Sequence, residues 1–268
     1  MIGAIAGDII GSAHEFGRTK SKDFPLFVPD STFTDDSVLT VAVARAILTD
    51  GDYQKAVREI GRRFPAAGYG GFFQSWLRSP DPKPYNSWGN GSAMRVSPVG
   101  FAFDTVDEVL REAARTAEFT HNHPEGIKGA QATALAVFLA RTEWDKDLIR
   151  VEITARVGYD LNRTVDGIRP GYGFDESCQR TVPEAIVAFL DSTSYEDAIR
   201  NAISLGGDAD TLACITGGIA EAFYGPVASK IRRKVKEILP SELWTIAADF
   251  CERYDLSLLD EERHPHGQ

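Results

Sequence analysis

Helical periodicity runs through nearly the whole chain, and no stretch of strict apolar alternation lasts more than a few residues. Such a sequence has no strands from which to build a sheet, so the expected fold is all-α. With 43% hydrophobic and 25% charged residues over 268 positions, the chain can bury a full core, and no composition break divides it. A compact single-domain helical bundle over residues 1–260 is expected. Residues 261–268, which include Arg263-His264-Pro265-His266, read as a frayed tail.

Local signals place the helices. Asp36 to Leu48 is ended by Gly51, and Tyr53 to Phe64 is amphipathic with Pro65 just beyond. Further helices are expected from Thr105 to Phe119, Pro124 to Arg141 and Asp145 to Tyr159, and another starting at Pro183. Ser194 with Asp197 forms a capping box for a helix ending at Gly206-Gly207, after which Asp208 to Tyr224 is a new apolar helix. Long non-helical stretches remain at Phe16 to Phe33, Ser79 to Ser92 and Asp160 to Thr181, where loops of a helical domain line binding sites. Gly3, Gly7 and Gly11 recur every four residues, making one smooth helix face for close packing.

Several function classes are set aside by composition. The apolar start, Met1 to Ala13, lacks a basic segment and carries Asp8, which argues against a secretory signal and for the cytoplasm. Cys178, Cys214 and Cys251 are widely spaced, so reduced, partly buried thiols are expected rather than disulfides or a thiolate zinc site. A net charge of −10, with Lys230 to Lys236 as the one dense basic run on a late helix, argues against binding a nucleic-acid backbone. A phosphorylated small molecule stays within reach if cations or backbone N–H groups outweigh the local field.

Two acidic clusters can carry chemistry. Thr34-Asp35-Asp36 and Asp208-Ala209-Asp210-Thr211 each open an apolar helix, where the positive dipole end favours anions. Together they offer four carboxylates and two hydroxyls, an all-oxygen set suited to Mg²⁺ or Mn²⁺ rather than zinc. Aspartates in these places also serve as helix caps. If the clusters meet in space, their mutual repulsion calls for a cation.

Other candidates are less specific. Asp8 and Glu15 lie seven apart; read locally, Asp8 is a surface residue and Glu15 a solvated charge at a helix end. Trp88-Gly89-Asn90-Gly91-Ser92-Ala93-Met94-Arg95 is a glycine-flanked loop running into a helix, either an ordinary turn or a phosphate cradle. His121 and His123 precede a helix and either contact substrate or cap it.

Taken in order, Gly7-Asp8-Ile9-Ile10-Gly11-Ser12 with Glu15, Phe33-Thr34-Asp35-Asp36-Ser37, Gly89 to Arg95, Thr120-His121-Asn122-His123-Pro124 and Gly206 to Thr211 resemble the motifs of the ADP-ribosylglycohydrolase family. The resemblance covers most of the chain. It implies an all-α bundle with a central dimetal site of two Mg²⁺ (or Mn²⁺) ions held by Thr34, Asp35, Asp36, Asp208, Asp210 and Thr211. It implies catalytic roles for Glu15, Asp36 and Asp210, with Asn90, Gly91, Ser92 and His121 near the diphosphate and Tyr172 toward the adenosine. The implied reaction is hydrolysis of the bond linking ADP-ribose to an acceptor on a protein or small molecule, arginine being the leading acceptor. A dimetal phosphohydrolase acting on nucleotides and a non-catalytic ADP-ribose-binding protein are the competing readings.

Overall fold

The computed structural model describes residues 1–143 and 145–256. Among them lie fourteen α-helices and no strand. In chain order they are α1 (Ile2–Ser12), α2 (Asp35–Leu48), α3 (Tyr53–Arg63), α4 (Gly71–Arg78), α5 (Ser97–Ala102), α6 (Val106–Glu118) and α7 (Pro124–Thr142). Then follow α8 (Lys146–Val157), α9 (Val165–Ile168), α10 (Cys178–Leu190), α11 (Tyr195–Ser204), α12 (Ala209–Tyr224), α13 (Ser229–Ile238) and α14 (Ser241–Arg253). The expectation of an all-α, single-domain fold holds. The tail at 261–268 lies outside the described residues.

The centre is the pair α1 and α12. Both are apolar on nearly every side, as a helix surrounded by protein must be, and every residue from Ile2 to Gly11 and from Ala209 to Glu221 is buried. The glycine face of α1 sets their approach. A Cβ on Gly3 would stand 2.5 Å from the Gly217 carbonyl, on Gly7 2.0 Å from that of Ala213, and on Gly11 2.5 Å from that of Ala209. The order of these contacts makes the pair antiparallel, and their closeness leaves room for hydrogen alone at three successive turns. Around this pair α2 packs on α1, while α7, α10 and α11 pack on α12. Outer helices carry one apolar stripe each: α3 buries Tyr53, Ala56, Val57, Ile60 and Gly61 and turns its charges outward.

Caps confirm many of the local signals. Thr105 accepts from Glu108 N at 3.2 Å, Asp145 accepts from Asp147 N and Leu148 N, and α8 ends on the left-handed Gly158. Ser194 accepts from Asp197 N at 3.1 Å, but the returning carboxylate of Asp197 takes the N–H of Thr193 at 2.9 Å rather than that of Ser194. Pro183 does not start a helix; it sits inside α10, which begins at Cys178. That start is fixed from outside, by Cys178 N–H donating to the Trp88 carbonyl at 2.9 Å. The segment at Asn90–Ser92 is a single 3₁₀ turn, and α5 begins only at Ser97. The three cysteines are all fully enclosed rather than partly buried. No helix among the described residues is long and apolar enough to cross a membrane.

Candidate active site

The two acidic clusters, 172 or more positions apart in sequence, meet where α1, α2 and α12 come together. Asp8 organises the meeting. Far from lying on the surface, it is fully buried. Its carboxylate accepts from Thr34 N at 3.0 Å, Thr34 Oγ1 at 2.7 Å and Ser37 N at 3.1 Å, and from the Ser37 hydroxyl. Asp8 therefore ties the first turn of α2 to α1, next to Gly7, where α12 approaches most closely. Thr34 is a true helix cap as well, its Oγ1 accepting from Asp36 N at 3.2 Å.

The second cluster is not explained by capping. Asp208 occupies the cap position of α12 without any capping hydrogen bond from its side chain. Its Oδ2 instead accepts from Asn90 Nδ2 at 2.7 Å, and the same amide donates to Thr181 Oγ1 at 3.2 Å. Asp210 Oδ1 accepts from Thr211 N at 2.9 Å, and Thr211 Oγ1 reaches Asp36 Oδ1 at 3.4 Å, joining the clusters. Asp36 Oδ2 is buried and has no hydrogen-bond partner. Glu15, half-buried beyond the end of α1, contributes a carboxylate oxygen that lies with those of Asp208 and Asp210 inside a 4.8 Å group.

The electrostatics record what this convergence costs. Burial first, and the Asp210 charge second, push the Asp8 carboxyl up to about 7. Glu15 is likewise pushed to about 7 by burial, then by Asp210, Glu176 and Asp8. Asp35, Asp36 and Asp208 are driven well above the ordinary carboxylate range by the same two leading causes. Carboxylates crowded in this way, with one oxygen wholly unpartnered and no nitrogen or sulfur ligand in the cluster, fit hard divalent cations, which would restore the ionised form of each.

Glu15, Thr34, Asp35, Asp36, Asp208, Asp210 and Thr211 all face one cavity of about 410 Å³, together with Asn90, Gly91 and His121. Gly68, Phe72, Tyr85, Arg95 and Glu176, none of them marked out by a local sequence signal, also line it. Of these only Arg95 stood inside a recognised motif; Phe72 lies in the first turn of the short α4, and Gly68, Tyr85 and Glu176 come from loops whose course no periodicity predicts. Ser92 and Tyr172 stand outside this lining. The Ser92 hydroxyl donates to the Gly126 carbonyl at 2.7 Å, holding the 3₁₀ turn against α7. Tyr172 donates to the Arg180 carbonyl at 2.8 Å and faces a separate cavity of about 520 Å³, while its ring lies against Gly207, where a Cβ would come within 2.3 Å of Cε1. His121 is buried, with Nδ1 2.8 Å from Thr120 Oγ1; burial and the nearby Arg95 charge hold its pKa well below the usual histidine value. His123 resolves to the capping alternative, Nδ1 accepting from Glu125 N at 3.1 Å.

An all-α bundle whose central helix pair ends in a cluster of carboxylates on one cavity defines a class of protein, one with a candidate metal centre at a helix junction. The chain belongs to the ADP-ribosylglycohydrolase family, whose model matches residues 1–261, and is a hydrolase of that family. It is 26% identical to the ADP-ribosylhydrolase ARH3 of Mus musculus over 84% of this chain and 82% of that protein. It is also 26% identical to the ADP-ribosylarginine hydrolase Tri1 of Pseudomonas putida (strain GB-1), over 84% of this chain and 69% of that one. A solved structure described as an ADP-ribosylglycohydrolase-related protein complex superposes with a TM-score of 0.71 over 96% of each chain, at 24% identity, and supports the fold.

Proposed function

We propose that this protein hydrolyses the glycosidic bond between ADP-ribose and an arginine side chain, with Thr34, Asp35, Asp36, Asp208, Asp210 and Thr211 holding two Mg²⁺ or Mn²⁺ ions. The observation that carries the reading is the convergence of both acidic clusters on one cavity, with a buried Asp36 oxygen left free. When bound, the cations would supply Lewis acidity for activating water and binding hydroxyl groups.

The chain's own residues do the rest. Asp210, its Oδ1 fixed by the Thr211 N–H, and Asp36, with a free oxygen, present negative charge to the oxocarbenium character that develops at the ribose. Glu15 stands half-buried at the mouth, close to Asp210, where a carboxyl near neutrality serves to take or give a proton. Asn90 orients Asp208, and Gly91 and His121 form the wall that receives the diphosphate. Ser92 braces the 3₁₀ turn of this wall through Gly126, and Tyr172 packs against Gly207, next to Asp208.

Arginine is favoured over an uncharged acceptor because the mouth is acidic: Glu176 is exposed there with no ion-pair partner among the described residues, near Glu15. A cationic leaving group gains from both charges. The similarity to a protein named as an ADP-ribosylarginine hydrolase points the same way.

The test is a set of ADP-ribosyl-arginine and ADP-ribosyl-serine conjugates, with Mg²⁺ and with chelator, read as released ADP-ribose. Release from the arginine conjugate in Mg²⁺ alone is expected. Release from serine only would move the acceptor, and liberation of phosphate from nucleotides would replace the reading with a phosphohydrolase.

A further inference from the structure

Arg95 is fully buried, among the largest side chains in the molecule to be so. No carboxylate pairs with it among the described residues. One nitrogen, Nη2, donates to the Thr116 carbonyl at 2.7 Å and to Thr120 Oγ1 at 2.8 Å; Nη1 and Nε have no hydrogen-bond partner, and the guanidinium lies 5.0 Å over the Phe119 ring. Holding an unpaired cation inside a protein is expensive, so a position that keeps one asks for a use.

The use is found one bond further on. Thr120 Oγ1 accepts from Arg95 and owns a single proton, for which two acceptors compete: His121 Nδ1 at 2.8 Å and the Ala117 carbonyl at 3.4 Å. The shorter contact wins on geometry. Donation from a guanidinium also polarises the hydroxyl and strengthens its own donation, while an N–H on Nδ1 would point toward the cation side. We propose that Arg95 and Thr120 act as positioning residues that lock His121 in the Nε2–H tautomer, aiming a hydrogen-bond donor at the acceptor oxygens of the bound substrate's diphosphate.

Nε2 is the atom that faces the ligand wall. It lies 3.1 Å from where a Gly91 Cβ would be, has no hydrogen-bond partner among the described residues, and belongs to a residue lining the cavity. A neutral imidazole in the other tautomer would present a lone pair there and repel phosphate oxygen. The ligand in this inference rests on the ADP-ribose reading; the tautomer does not.

The tautomer is read directly on the ligand-free protein by long-range ¹H–¹⁵N correlation of the imidazole, the signal assigned by its absence in His121→Gln. A protonated Nε2 and a bare Nδ1 are expected. Thr120→Val should convert the ring to a mixture or to Nδ1–H and weaken ADP-ribose binding about tenfold. Thr120→Ser should restore both, which separates tautomer control from loss of packing. A wild-type ring protonated on Nδ1, or a Thr120→Val ring unchanged from wild type, overturns the relay. A ring that behaves as expected in a protein with no affinity for ADP-ribose upholds the relay and sinks the functional reading.

Discussion

The two ends of the α1–α12 contact are built from the same backbone approach and finished in opposite ways. At the Gly3 end the polar groups of the contact are paired within the protein: Glu221 accepts from Gly3 N at 2.9 Å, and Tyr195 donates to the Gly3 carbonyl at 2.7 Å. At the Gly11 end the approach is as tight, yet it delivers Asp210 into a group of carboxylates that the chain itself does not neutralise. One helix pair thus supplies rigidity at one end and an unfinished electrostatic site at the other. The rigidity matters to the site, because side chains that repel one another stay together only on a scaffold that cannot yield.

Breaking the close contact of the helix pair should have the largest effect. Gly7→Ala puts a methyl 2.0 Å from the Ala213 carbonyl and 2.9 Å from Cys214 N, both backbone atoms of a buried helix. A cost of about 3 kcal/mol or more is expected, at the upper end of overpacking, with or without Mg²⁺. Urea unfolding of the two proteins checks it; a midpoint close to wild type would show that the pair can separate and that the scaffold is not rigid.

At the other end a larger chemical change should leave the fold alone. Asp210→Asn keeps shape and, were Asp210 only a cap, would do so at no cost, since the two residues rank alike there. As a ligand it should lose about tenfold or more in Mg²⁺ affinity and in turnover. In chelator the variant should be at least as stable as wild type, because Asp210 is a leading charge raising Asp8, Asp35, Asp36 and Asp208. Mg²⁺ titration, single-turnover release of ADP-ribose and thermal unfolding in chelator together decide; unchanged metal affinity and turnover would remove Asp210 from the site.

The same contrast governs pH. Asp8 and Glu15, ordinarily near 3.8 and 4.5, stand at about 7 when folded, so between pH ~4 and ~7 the native protein holds protons that the unfolded chain has released. Stability in chelator should therefore fall as pH rises through that window, the reverse of a protein whose carboxylates are paired. Saturating Mg²⁺ should flatten the slope. Melting temperatures from pH 4 to 8, with and without the cation, test this; a chelated protein that gains stability toward pH 7 would mean the cluster is not crowded.

How much of this could be read beforehand follows the reach of each signal. Thr105, Asp145 and Ser194 act within three residues, so their caps were legible, as was the apolar α12 behind Asp208. The start of α10 was hidden because Pro183 mimics a first-turn residue while the true start is set by Trp88, far off in sequence. Asp8 was misjudged locally for a similar reason: glycines every fourth residue announce a close neighbour without naming it, and its partners Thr34 and Ser37 lie on another helix. The metal-ligand candidates were legible as two helix starts and through the resemblance of ordered motifs, whereas their convergence depends on the antiparallel seating of α1 on α12. Arg95 was invisible as a buried group, since nothing in composition predicts a fully enclosed arginine.

The smallest effect sharpens the comparison most, because it repeats the Gly7 substitution in the other region. Gly91→Ala adds the same methyl, but its nearest neighbours are side-chain atoms at the cavity wall, His121 Nε2 at 3.1 Å and Cε1 at 3.4 Å. No backbone has to move, so stability should stay within about 0.5 kcal/mol of wild type. The imidazole, however, is tethered through Nδ1 to Thr120 and can yield only by lengthening that 2.8 Å contact or by turning Nε2 away from the cavity. Either response weakens a single hydrogen bond to the ligand, so ADP-ribose affinity should fall severalfold, on the order of 1 kcal/mol, while Mg²⁺ affinity stays as it was. Calorimetry with ADP-ribose and with Mg²⁺, alongside thermal unfolding, separates the three quantities. Loss of stability comparable to that of Gly7→Ala would show that the cavity wall is as tightly packed as the helix pair, and would remove the division between a rigid end and a receptive one.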